Sequence, residues 1–124
     1  RSGTVLAPSG GTVSIAMRAG DGHPLALLPY RVEGLDASAT LAQGELRIAW
    51  TIHASVAAIS PHVVRVEVRD AAGKLLRQLC RNVLTAGDGH GALVLPIASE
   101  DGASFTVRVR DVLTGRVAEV AKVQ

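Results

Sequence analysis

The chain has 124 residues, a formal net charge of +2, and 48% apolar against 19% charged side chains. Those values exclude a disordered tail, a collagen, a coiled coil and a strong polyanion binder, and read as one soluble globular domain. By the scaling of surface with mass, roughly two-thirds of the extended chain's surface can be buried on folding, enough for a core without disulfides or metals.

In chain order, residues 12–19 and 25–32 have the β-branched, alternating character of weak strands, separated by Gly20-Asp21-Gly22. A Glu33-Gly34 turn is expected next, then a strand over 35–42, then a Gln43-Gly44 turn. The clearest strand runs over 45–54, where Leu46, Ile48, Trp50, Ile52 and Ala54 alternate with Arg47, Ala49, Thr51 and His53. Period two puts the first set in a core and the second in water. Over 62–70 the inward row is Val64, Val66 and Val68, opposite Val63, Arg65, Glu67 and Arg69. Asp70-Ala71-Ala72-Gly73-Lys74 then predicts a hairpin, since Asp accepts backbone hydrogens and Gly takes the left-handed conformation. A weak strand follows over 74–79. Residues 74–83 and the Ala-rich 54–60 also have some helical character, but both are too short for a helix and read as strand edge or loop. Leu93, Leu95 and Ile97 form a fourth apolar row, and over 104–111 Phe105, Val107 and Val109 face in while Thr106, Arg108 and Arg110 face out. A longer turn, Asp111 to Gly115, precedes a last weak strand over 116–123.

About seven to nine short strands with tight turns predict an all-β fold, an antiparallel β-sandwich in which two sheets pack face to face. Parallel α/β folds are excluded for want of crossover helices. Residues 30–124 have the length of a seven-stranded sandwich, which leaves 1–29 as an added hairpin or the tail of a preceding domain. The sequence opens on Arg1 rather than Met, and the expectation is a piece of a longer polypeptide. There is no leader-like start and no apolar run long enough to span a bilayer, so no membrane insertion is expected.

The pentapeptide Ala19-Gly20-Asp21-Gly22-His23 recurs as Ala86-Gly87-Asp88-Gly89-His90. Its Asp and His are metal-ligand types and its glycines suit an anion nest, yet Asp-Gly is also a leading hairpin-turn pair, and the turn reading is preferred. His53 and His62 stand outside any metal-ligand spacing and read as solvated surface. The lone Cys80 cannot make an internal disulfide and reads as a small buried hydrophobe; Glu100-Asp101 reads as turn chemistry. No cofactor is expected. Arg65, Arg69, Arg108 and Arg110 would share one sheet face if their strands are neighbours, forming a solvated patch or a docking surface. Low net charge and few aromatics argue against nucleic acid. The rings are only Tyr30, Trp50 and Phe105; with the last two facing inward, no platform for a sugar remains.

The rows of Leu46, Ile48 and Trp50, of Val64, Val66 and Val68, and of Phe105, Val107 and Val109 resemble a fibronectin type III or immunoglobulin-like sandwich. The cysteine pair of immunoglobulin domains is missing, and Phe105 stands where such folds often carry a tyrosine that ties down a loop. More specifically, Leu28-Pro29-Tyr30-Arg31-Val32-Glu33-Gly34-Leu35, HVVRVEVRDAAG (62–73), Arg81-Asn82-Val83-Leu84 and FTVRVRDVLTG (105–115) are similar to a C-terminal β-sandwich region of large bacterial glycoside hydrolases of the β-galactosidase type. The similarity spans about residues 28–118 and implies a secreted or periplasmic parent protein. No catalytic residue carries over, because those enzymes hold theirs on a separate barrel of roughly 250 residues.

The resulting expectation is a non-catalytic accessory or structural module of a larger carbohydrate-active protein. It would act by packing on and positioning other domains of the parent polypeptide, with Trp50 as core anchor. The alternative is a module that binds a glycan or a protein through its loops, carbohydrate then being a partner. A third reading is an adhesin-like structural repeat.

Overall fold

The structure, a computed structural model, describes residues 28–124. Seven strands appear in the order β1 (Val32–Ala42), β2 (Glu45–Ala54), β3 (His62–Asp70), β4 (Arg81–Thr85), β5 (His90–Pro96), β6 (Phe105–Asp111) and β7 (Val117–Val123), with single 3-10 turns at Arg77–Leu79 and Ser99–Asp101. All pairings are antiparallel and make two sheets, β1-β2-β5 and β4-β3-β6-β7. The fold is therefore an all-β sandwich.

Alternation sets the core. Leu46, Ile48, Trp50 and Ile52 from β2 meet Val64, Val66 and Val68 from β3 and Phe105, Val107 and Val109 from β6, all buried. Leu95 of β5 completes this layer, whereas Leu93 is only half-buried and packs against its margin. Ile97 is also half-buried and marginal, lying just past the end of β5. Every residue on an inward row removes apolar surface from water, and such burial is the main favourable term in folding.

The β1–β2 hairpin closes with two residues, Gln43 at φ 53° and Gly44 at φ 73°. Ala42 pairs with Glu45 across it. Two successive positive φ values give the turn whose twist matches that of its strands. At 70–74, Asp70 Oδ1 accepts the amides of Ala72 and Lys74, both at 2.9 Å. At 111–115, Asp111 Oδ2 accepts the Thr114 hydroxyl at 2.6 Å and its carbonyl accepts the Gly115 amide at 2.8 Å.

Several local expectations are corrected. Glu33 and Gly34 form no turn: they lie inside β1, where the register slips between Val32 and Gly34 as a bulge, an extra residue absorbed without leaving the strand. Of the strand expected over 25–32, residues 28–31 are irregular and 25–27 lie outside the described residues, as does the strand expected over 12–19. Residues 74–79 make one bridge, Leu75 to Arg69, and then coil into the 3-10 turn. Spacing of three lets Leu76 and Leu79 bury together at the core's edge, which a strand would prevent by sending them to opposite faces. Residues 81–83 of the same stretch are paired strand in β4.

Candidate functional site

A buried polar chain crosses one end of the sandwich. The Tyr30 hydroxyl lies 2.7 Å from His62 Nε2, and His62 Nδ1 lies 3.0 Å from Asp111 Oδ1. The carboxylate oxygen accepts, which puts a ring hydrogen on Nδ1; in the neutral ring the phenol donates to Nε2, and its oxygen accepts the Ser60 amide at 3.1 Å. His62 is thus not solvated surface: its side chain and that of Asp111 are both 0% exposed. The reason is parity, since His62 continues the inward row 64, 66, 68 and Asp111 continues 105, 107, 109. A charge or ring nitrogen placed there must find partners inside the protein, and these do. Among the described residues no buried side-chain nitrogen or oxygen lacks a hydrogen-bond partner. His62 and Asp111 are closed off from solvent while Tyr30 is half-buried, and together the three tie the segment before β1 to β3 and to the β6–β7 turn.

A second buried polar bond spans the sheets, from Trp50 Nε1 on β2 to Thr85 Oγ1 on β4 at 3.0 Å.

The second copy of the repeated pentapeptide is a turn, though not a hairpin within one sheet: it carries the chain from β4 in one sheet to β5 in the other. Asp88 Oδ1 accepts the His90 amide at 2.9 Å, and the Gly89 amide donates to the Ala86 carbonyl at 3.0 Å. Gly89 has φ 85°, and a β-carbon there would lie 2.5 Å from the Ile52 carbonyl oxygen; glycine alone suits both conditions. The first copy lies outside the described residues. His90 pairs through Nδ1 with the Thr51 hydroxyl at 3.1 Å, and exposed His53 pairs with Asp36 at 2.6 Å. These two bonds stand side by side on the outer face of the three-stranded sheet without converging on a common centre. Among the described residues no three His, Cys, Asp or Glu side chains group as metal ligands. Cys80 is buried, its thiol donating to the Leu76 carbonyl. Asp101 accepts the Ala98 amide and the Gln78 side chain, joining the two 3-10 turns.

The outer face of β4-β3-β6-β7 brings the four sequence-selected arginines together. Register places Asn82, Arg65, Arg110 and Val117 in one row, Glu67, Arg108 and Glu119 in the next, and Arg69 opposite Thr106 beyond. Leu84 sits opposite Val63 at the other side of the arginine row. Leu84 is 65% exposed, with Val63 and Val117 also open to solvent. Glu67 lies 3.7 Å from Arg65 and 3.8 Å from Arg69, while Arg108 and Arg110 have no carboxylate within ion-pair distance among the described residues. A shallow depression of about 260 Å³ is lined by Val63, Arg65, Asn82, Arg110 and Val112. The apolar members of this face were not singled out from the sequence. Their signal was available, since Val63 stands on the outward row of its own strand.

Fold and surface together define a β-sandwich domain with a hydrogen-bonded polar chain at one end and a mixed basic and apolar face on its four-stranded sheet. No family model, curated protein or solved structure matches the chain.

Proposed function

We propose that this domain is a non-catalytic sandwich module of the fibronectin III-like kind, part of a larger exported bacterial carbohydrate-active protein, which packs against neighbouring domains and positions them. The observation that carries the docking role is the outer face of β4-β3-β6-β7. There, exposed Val63, Leu84 and Val117 stand among Arg65, Arg108 and Arg110. The core of an interface is more apolar than its rim, and arginine is enriched at interfaces where lysine is depleted. Four arginines against Glu67 and Glu119 suit a partner surface with an excess of carboxylates.

The strand order, with β5 returning to β2 and β6 inserted between β3 and β7, supports the fibronectin III-like type. The strand-and-turn motifs over residues 28–118 support the glycoside hydrolase context.

The test is amide NMR of the isotope-labelled chain, titrated with unlabelled flanking domains of the parent polypeptide. Shifts are expected at Val63, Arg65, Leu84 and Arg110, with Ser38, Ala49 and Ala92 on the opposite sheet silent. Silence at the arginine face, with shifts at the 86–90 turn on adding oligosaccharides and calcium, would replace this reading with glycan binding through loops.

A further inference from the structure

We infer that the depression between Arg65 and Arg110 is a carboxylate-binding notch, which takes an acidic side chain flanked by apolar ones from an extended segment of the partner. This rests on the docking reading given above and names the partner's chemistry at one spot. Arg65 and Arg110 stand directly opposite each other on β3 and β6. Like charges in directly opposed positions of an antiparallel pair repel and destabilise it. The pair is under-compensated within the domain. Glu67 approaches Arg65 only at 3.7 Å and is shared with Arg69, and Arg110 has no carboxylate within ion-pair distance among the described residues. A single carboxylate seated between the two guanidinium groups would relieve the repulsion and accept charge-assisted hydrogen bonds from both.

The lining fits a carboxylate with an apolar stem better than a bare inorganic anion. Asn82 Oδ1 accepts from the Arg65 guanidinium at 3.4 Å, helping to hold that group in place, and Val63 and Val112 supply apolar lining. Leu84 and Val117 rise at the margins, where apolar neighbours of the acidic residue would rest.

The experiment uses the whole chain with three probes: acetyl-Leu-Glu-Leu-amide, its Gln counterpart, and inorganic phosphate. Amide and arginine Nε–H resonances are followed by NMR. The Glu peptide is expected to shift Arg65, Asn82 and Arg110 saturably, and the Gln peptide to bind about tenfold more weakly, the size of one lost charge-assisted bond. Arg110→Gln should weaken the Glu peptide by a similar factor without lowering the melting temperature, since it also removes the repulsion. Equal binding of the Glu and Gln peptides would overturn the notch, as would phosphate producing the same shifts at lower concentration. Shifts by flanking domains without a response to the Glu peptide would remove the notch and leave the docking reading. The reverse pattern would keep the notch and remove that reading.

Discussion

Gly91 of β5 lies directly opposite Trp50 of β2, and the indole occupies the space that a β-carbon on Gly91 would need. The space at Gly91 admits the ring, whose N–H finds an acceptor at Thr85 in the other sheet. A small residue on one strand thereby positions the largest side chain of the core.

Gly91→Ala is therefore expected to destabilise the domain by about 2 to 4 kcal/mol, combining overpacking with loss of the Trp50–Thr85 bond. Urea unfolding followed by fluorescence measures it, and because the chain has one tryptophan the native spectrum reports the displaced ring directly. A stability equal to the parent's would show that the indole does not occupy this site.

Trp50→Ala is expected to cost about 3 to 5 kcal/mol, as large aromatic deletions in cores do. Thr85→Val keeps the shape but leaves the indole N–H buried without an acceptor, at about 1 to 3 kcal/mol. If Thr85→Val costs as much in a Trp50→Phe background, the effect comes from packing rather than from the hydrogen bond.

Two Asp–His pairs of similar length should differ in worth because they differ in burial. Asp111→Ala strands His62 Nδ1 inside the protein and frees the Thr114 turn, for an expected loss of about 3 kcal/mol or more. Tyr30→Phe should cost about 1 to 3 kcal/mol, by leaving His62 Nε2 without its hydrogen-bond partner. Asp36→Ala breaks a pair whose side chains are 79% and 52% exposed, where water replaces what is lost, and should cost less than about 1 kcal/mol. Thermal unfolding of the three variants ranks them; a large loss for Asp36→Ala would contradict the assignment.

Gln43 holds a left-handed conformation at the first turn position of the β1–β2 hairpin. Asn tolerates that conformation better than Gln and makes the preferred Asn-Gly pair with Gly44. Gln43→Asn is expected to stabilise by about 0.5 to 1 kcal/mol, read as a higher urea midpoint with an unchanged slope.

The strands and their inward rows were legible because period-two alternation is a local property, sharply expressed over 45–54, 62–70 and 104–111. The Asp70 and Asp111 turns were legible for the same reason: an Asp side chain caps amides only a few residues away. The bulge at Gly34 and the 3-10 turn at Arg77–Leu79 were not. Each depends on what lies opposite, the register with β2 in one case and the open edge of the core in the other. The arginine face was half legible, since parity put each side chain outward but only the pairing of β3 with β6 set Arg65 against Arg110.

By itself the sequence determined the class of fold, the strand carrying the core anchor and the side of each strand that meets water, because alternation and turn chemistry act between residues a few positions apart. Tertiary structure alone decided that His62 and Asp111 would be partners. They are 49 positions apart in the chain, each reads locally as a polar residue at a strand end, and only the antiparallel register of β3 with β6 carries both inward at the same end of the sandwich. There, removal from water makes the bond between them, with those to Tyr30 and Thr114, the replacement for lost hydration.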